Sequence, residues 1–186
     1  MGLGLDRVLL VPVHTPPHKE AEGDPGVEHR IELCRRAVEG DDRFGISLVD
    51  AGRPGPSWTV DTLRALRDDC PDDSLTFLMG GDMAHSLPTW REPAAVVELA
   101  EIGVAEREGV RRADIIGRLE EVPGACDRVR FFQMPRLDIS SSLVRRRVAR
   151  GLPVRYLVPD RVADYIAAEA LYAAERLVPS AGEARP

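Results

Sequence analysis

Three serines followed by an arginine form the part of this sequence best suited to binding an anion. Ser140, Ser141 and Ser142 stand where a helix is predicted to begin, and Arg145 follows one turn later. The first N–H groups of a helix lack intrahelical acceptors and carry partial positive charge, so anions bind there. A guanidinium on the same face matches phosphate geometry. The run predicts a phosphate site, and the alternative is an ordinary serine N-cap beside a solvated basic face.

Two further polar segments could contact a nucleotide. His18 and Lys19 follow two prolines, which stiffen the loop and reduce the entropy lost when both side chains become ordered on a polyphosphate. Gly80 and Gly81 would let a ligand approach the backbone, and a carboxylate placed like that of Asp82 can bind ribose hydroxyls. The alternatives are a loop with chance basic residues and a tight turn in which Asp82 is a helix N-cap.

Trp58 and Trp90 are the two tryptophans of the chain, and both lie near predicted loops. An exposed indole offers a flat face to a heteroaromatic ring, and a cationic ring would add electrostatic attraction. The alternative is that both indoles pack in the core or under a lid. No P-loop, HExxH or Gly-x-Ser-x-Gly pattern is present. His14 and His18 lie in a proline-rich loop, so their spacing does not predict a metal site.

The composition excludes several classes of protein. A length of 186 residues predicts one domain, or one domain with a small appendage, and a net charge of −6 argues against a nucleic-acid partner. No apolar run approaches the length of a membrane span, and no signal-peptide pattern is present, so we expect no membrane partner. Three cysteines without a CxxC pair fit a reducing compartment, and we expect a cytoplasmic protein. Nothing in the sequence indicates an oligomeric state.

Predicted strands alternate with predicted helices along the whole chain. Strands are predicted at residues 7–13, 44–49, 75–79, 102–105 and 129–134. Helices are predicted at 27–38, from 57–59 past Leu66, around Leu87 and Val96, and at 113–119, 140–150 and 160–177, before a disordered tail at 179–186. This alternation predicts an α/β domain with a mostly parallel sheet and right-handed crossovers. Ligands of such folds bind beyond the carboxyl ends of the strands, where the three polar segments are predicted to lie.

Six segments together closely resemble bacterial nicotinate-nucleotide adenylyltransferases, and their order and spacing fit from about residue 5 to residue 172. They are Pro16-Pro17-His18-Lys19, Ser57-Trp58-Thr59-Val60-Asp61-Thr62-Leu63, Phe77-Leu78-Met79-Gly80-Gly81-Asp82, Leu87-Pro88-Thr89-Trp90, Ile139-Ser140-Ser141-Ser142-Leu143-Val144-Arg145 and Tyr156-Leu157-Val158-Pro159. The serine-arginine run is shared across the nucleotidyltransferase superfamily, whereas the two tryptophan segments are more specific to the nicotinate branch. The resemblance implies a doubly wound, Rossmann-like parallel sheet of the nucleotidyltransferase type over residues 1–178.

The resemblance also implies a reaction. The family transfers the adenylyl group of ATP to nicotinate mononucleotide and forms nicotinate adenine dinucleotide and pyrophosphate, in NAD biosynthesis. Mg²⁺ accompanies the ATP, and no covalent enzyme intermediate forms. The partners it implies are therefore ATP and nicotinate mononucleotide. Catalysis of this kind is mainly positioning and stabilisation of charge.

The resemblance assigns binding roles to individual residues. Trp90 would stack on the nicotinate ring, while Thr59 and the backbone amide at Arg91 would hold the nicotinate carboxylate. Asp82 and Gly80 would bind the adenosine ribose. The backbone of Ile139 would lie by the adenine of ATP. The triphosphate would be held by Ser141, Ser142 and Arg145. His18 and Lys19 would close over the triphosphate.

One departure from the family is large. The family opens with a strand, a Gly-rich turn and a His-x-Gly-His motif that holds the α-phosphate, but none of the four histidines lies in such a motif. We therefore assign no catalytic residue and expect that the first strand and most of the first helix are missing, that Met1 is not the true start, and that this chain folds poorly and is nearly inactive. A version extended by its upstream codons would test this by its turnover. The alternatives are a non-catalytic nucleotide-binding fragment and an adenylyltransferase of the pantetheine-phosphate type.

Overall fold

The computed structural model describes residues 2–15, 23–106, 110–135 and 137–173. His18, Lys19 and the predicted tail at 179–186 lie outside these residues. Within them, strands alternate with helices, and every named strand pairs in parallel, which confirms the predicted α/β class. No helix in these ranges is long and apolar enough to cross a membrane.

The elements follow one another in the predicted order. In the described residues they are β1 (Val8–Leu10), α1 (Val27–Val38), β2 (Phe44–Ile46), α2 (Thr59–Asp69), β3 (Thr76–Gly80), α3 (Gly81–Ser86), a 3₁₀ turn (Leu87–Thr89), α4 (Pro93–Leu99), β4 (Glu101–Glu106), α5 (Arg112–Leu119), α6 (Ala125–Arg128), β5 (Val129–Gln133), α7 (Ser141–Ala149) and α8 (Asp160–Ala168). The chain divides into two compact units, which we call the β3–β5 unit (Met1–Asp6 and Gly55–Leu137) and the β1–β2 unit (Arg7–Pro54 and Asp138–Pro186).

In the β3–β5 unit, β4 lies between β3 and β5 in a three-stranded parallel sheet. Ile102 and Val104 on β4 are fully buried. This fits the rule that a parallel strand covered on both faces is apolar along its length. Gly103 lies between them, and a Cβ there would come within 2.6 Å of Leu78 Cδ2, so the side chain of the neighbouring strand occupies the space. Helices α2, α4 and α5 contribute further buried residues to the same core.

In the β1–β2 unit, the two short strands pair in parallel, with Leu9 opposite Gly45. A second apolar cluster joins α7, the following loop and α8, and its buried members are Val144, Val154, Val162, Ile166 and Leu171. Helix α1 packs on α8, where His29 Nδ1 lies 2.8 Å from the Tyr165 hydroxyl and the Arg36 guanidinium lies 4.5 Å from the centre of the Tyr165 ring. The serine-arginine helix α7 is thus held by its apolar face.

Two predicted helix ends are wrong. The last helix ends at Ala168 and not near residue 177, because Ala170 and Tyr172 take positive φ values of 47° and 62°, which turn the chain. Leu171, predicted on the helix face, is buried in that turn, where its N–H donates to Ile166 O at 3.0 Å. At α2 the N-cap position is held by Trp58, which makes no side-chain cap hydrogen bond, and not by Ser57 or Thr59 as predicted.

Candidate active site

The Gly80-Gly81-Asp82 segment lies at the carboxyl end of β3, as predicted. β3 ends at Gly80, which is the N-cap of α3 with an extended backbone (φ −79°, ψ 163°). Asp82 therefore lies inside the first turn of α3, exposed to solvent, and the alternative that Asp82 is the N-cap is wrong. A Cβ on Gly81 would come within 3.0 Å of Ile115 Cδ1, so the second glycine lets α3 pack closely on α5.

The N-terminus of α2 presents Thr59 as its first helical residue. The N–H groups of Asp61 and Thr62 donate to Trp58 O at 3.0 and 3.1 Å, and the Thr62 hydroxyl donates to the same oxygen at 3.1 Å. The N-cap residue Trp58 makes no side-chain cap hydrogen bond, and the first N–H groups of a helix carry partial positive charge. This geometry suits a carboxylate.

Trp90 follows the 3₁₀ turn and is half-buried. Its backbone N–H donates to Leu87 O at 3.0 Å, and its indole Nε1–H donates to Ser86 Oγ at 3.1 Å. Phe77 meets the indole edge-on, with ring centres 6.0 Å apart and planes at 84°. Part of the Trp90 ring therefore packs against the core, as the alternative interpretation of this tryptophan expected. The contacts with Ser86 and Phe77 fix the orientation of the indole.

Four charged side chains, two of them not singled out from the sequence, connect α2 with the segment that contains Trp90. Arg64 Nη2 lies 2.6 Å from Glu92 Oε2, and Arg64 Nη1 lies 3.5 Å from Asp61 Oδ1. Arg91 lies 3.8 Å from Asp61 and 3.7 Å from Glu92, with its guanidinium 5.7 Å from the centre of the Trp58 ring. The hydrogen bond from Arg64 lowers the pKa of Glu92 and raises that of Arg64.

In the β1–β2 unit, the serine run begins α7. Ser140 is the N-cap, and its hydroxyl accepts a hydrogen bond from the Leu143 N–H at 3.2 Å, so the capping alternative is correct for this one serine. Ser141 and Ser142 are exposed in the first turn, and Arg145 Nη2 donates to Ser142 Oγ at 3.3 Å, on the predicted shared face. The run therefore contains both a cap and a hydroxyl–guanidinium pair.

The described candidate residues belong to two separate groups. The β3–β5 unit holds Thr59, Gly80, Asp82, Trp90 and Arg91, and the β1–β2 unit holds Ile139, Ser141, Ser142 and Arg145. Within the first group, the Asp61–Arg91 ion pair brings the start of α2 beside the Trp90-Arg91 segment. Ile139 is 42% exposed immediately before the cap of α7.

Substitution of the N-cap residue Ser140 should change the stability of the protein without changing its affinity for ATP. We expect Ser140→Ala to lower the free energy of unfolding by about 1 kcal/mol, because the Leu143 N–H loses its acceptor. ATP affinity should stay unchanged, since no phosphate contact is assigned to this serine. Urea unfolding and calorimetric titration with ATP would measure the two effects. Ser142→Ala is the matched control and should show the reverse pattern; a loss of ATP affinity in Ser140→Ala would contradict the assignment.

Comparison with known proteins identifies the family to which this chain belongs. The cytidylyltransferase-like family model matches residues 3–147, which places the α/β fold described above in that class. The chain is 45% identical to the probable nicotinate-nucleotide adenylyltransferase of Thermomicrobium roseum, over 91% of this chain and 79% of that protein. It is 38% identical to that of Symbiobacterium thermophilum, over 91% and 82%. The chain belongs to the nicotinate-nucleotide adenylyltransferase family, which confirms the predicted resemblance.

Two solved structures share the fold. They are of Plasmodium falciparum nicotinic acid mononucleotide adenylyltransferase, one complexed with APC (TM-score 0.66, 16% identity) and one with NaAD (TM-score 0.67, 18% identity). Each match covers 90% of this chain and 82% of the solved chain. Enzymes of this family generally use a divalent metal with ATP. Among the described residues, no group of three or more His, Cys, Asp or Glu side chains could hold such an ion.

Proposed function

We propose that this chain transfers the adenylyl group of ATP to nicotinate mononucleotide, giving nicotinate adenine dinucleotide and pyrophosphate in NAD biosynthesis. The observation that carries the proposal is the pairing, within the β3–β5 unit, of the N-terminus of α2 with the Trp90-Arg91 segment. A flat indole and a positive helix end match a pyridine ring that carries a carboxylate. This combination favours the nicotinate substrate over phosphopantetheine, which has no aromatic acid.

The binding roles follow the chemistry of the two groups of residues. Trp90 stacks on the pyridine ring, and Thr59 with the backbone amide at Arg91 holds the carboxylate. Asp82, with Gly80, accepts hydrogen bonds from the ribose hydroxyls of ATP at the end of β3. The other ATP contacts come from Ile139, Ser141, Ser142 and Arg145, and from His18 and Lys19.

The reaction needs position and charge stabilisation. A phosphate oxygen of the mononucleotide attacks the α-phosphorus of ATP and forms a new P–O bond, while the bond from that phosphorus to the bridging oxygen breaks and pyrophosphate leaves with the electron pair. Arg145 and the hydroxyls of Ser141 and Ser142 donate to the phosphate oxygens on which negative charge rests. Mg²⁺ enters with ATP as part of the substrate. We place the reaction in the cytoplasm, since the three cysteines are free thiols.

A substrate comparison tests the function. The chain is incubated with ATP, Mg²⁺ and, in separate reactions, nicotinate mononucleotide, nicotinamide mononucleotide or phosphopantetheine, and pyrophosphate and the dinucleotide are measured. We expect the nicotinate substrate to give the most product of the three, at a turnover that stays low because no catalytic residue is assigned in this chain. Binding of ATP and nicotinate mononucleotide without pyrophosphate release would instead identify a non-catalytic nucleotide-binding protein. Preferential turnover of phosphopantetheine would contradict the assignment.

A further inference from the structure

The ion pairs around Glu92 join the two elements that form the proposed pyridine site. Arg64 lies on α2, one helical turn after Asp61, and its two terminal nitrogens reach the Glu92 carboxylate at 2.6 and 3.4 Å. Such a two-point contact fixes the relative orientation of both groups, which a single contact does not. Glu92 directly follows Arg91, whose backbone amide is assigned to the substrate carboxylate.

The backbone at Glu92 is unusual as well. Its φ of 49° and ψ of 57° lie in the left-handed region, which a residue other than glycine adopts only when its surroundings hold it there. It is the N-cap of α4, its carbonyl accepts a hydrogen bond from the Val96 N–H at 3.1 Å, and Pro93 follows it. With its side chain held by Arg64 and its carbonyl by α4, Glu92 constrains the backbone that joins Arg91 to α4.

The charges of the cluster balance. Arg64 and Arg91 supply two positive charges, and Asp61 and Glu92 supply two negative charges. A neutral cluster does not draw in an anionic substrate by net charge. What the cluster supplies is geometry, since its ion pairs link the Trp90-Arg91 segment to the start of α2.

We propose that Arg64 and Glu92 are positioning residues for nicotinate mononucleotide, which tie the Trp90-Arg91 segment to α2 so that the indole face and the carboxylate-binding amides keep a fixed spacing. This inference rests on the proposed function, because it concerns the same substrate site. It adds two side chains that do not themselves contact the substrate.

The test begins with Glu92→Gln, which keeps the shape of the side chain and removes its charge. Calorimetric titration should show a roughly three- to fivefold loss of affinity for nicotinate mononucleotide, with ATP affinity and melting temperature unchanged. Arg64→Gln should have the same effect, and the double variant should lose no more than either single variant. Asp114→Asn is the matched control, since it breaks a similar exposed pair with Arg111 on α5 and should leave the affinity unchanged.

A second measurement needs no ligand. Trp58 and Trp90 are the chain's two tryptophans, so intrinsic fluorescence reports on this region. Acrylamide quenching should increase in Glu92→Gln and not in Asp114→Asn, because the segment that contains Trp90 loosens. If the wild-type chain binds no nicotinate mononucleotide, the proposed function fails and quenching alone decides whether the tether exists. Unchanged quenching in Glu92→Gln, or an affinity equal to that of the wild type, would overturn the proposal.

Discussion

Replacing Trp90 with alanine is expected to weaken the binding of nicotinate mononucleotide about tenfold to a hundredfold. Stacking of a heteroaromatic ring on an aromatic side chain contributes about 1–3 kcal/mol, and alanine removes the whole indole face. The geometry supports a large effect because Ser86 and Phe77 already hold the indole in one orientation, so little entropy is lost when the substrate stacks. Calorimetric titration with the mononucleotide would measure the change, with ATP as the reference ligand.

Trp90 also packs on the core, so the experiment must separate stacking from stability. Trp90→Phe keeps an aromatic face but loses the hydrogen bond to Ser86, and it should recover most of the affinity. Ser86→Ala is the matched control, because it removes the same hydrogen bond and leaves the indole in place. If Trp90→Ala lowers the melting temperature but leaves the mononucleotide affinity unchanged, the indole is only a core residue and the stacking role is wrong.

The elements were predictable where local patterns decide them. Helix α1 has the predicted bounds, and β4 extends one residue beyond each end of its predicted range, because apolar residues at helical or strand spacing mark the buried side of an element. The end of α8 was not predictable in this way. The positive φ values at Ala170 and Tyr172 accompany the burial of Leu171 against residues distant in sequence, which no local pattern encodes.

The candidate site shows the same division. The contact between Ser142 and Arg145 follows from their spacing of three residues on one helix. The pair formed by Arg64 and Glu92 spans 28 residues and depends on how α2 packs beside the start of α4, so spacing alone could not identify it. The local pattern around Glu92 is a residue directly before a proline that begins a helix. This pattern indicates a helix start and gives no sign of an ion pair with α2.

Substitution of Arg145 by methionine is expected to weaken ATP binding about ten- to a hundredfold, since a hydrogen bond to a charged group contributes about 1.5–3 kcal/mol. Methionine keeps the apolar stem on α7 and removes the guanidinium that pairs with Ser142. Calorimetric titration with ATP at two salt concentrations would measure the loss. The wild type should also lose more affinity in high salt than the variant, because screening acts on the charge that methionine lacks.

Two further variants decide whether the loss of ATP affinity is specific to Arg145 or follows from the positive charge of the helix. Arg146→Met removes the same charge from an exposed position one residue further along α7, and it should change ATP affinity little. Arg145→Lys keeps the charge but lacks the planar guanidinium fork, whose shape suits two phosphate oxygens at once, so it should restore only part of the affinity. Equal losses in Arg145→Met and Arg146→Met would mean that α7 attracts ATP only through its general charge. The assignment of a specific triphosphate contact to Arg145 would then be wrong.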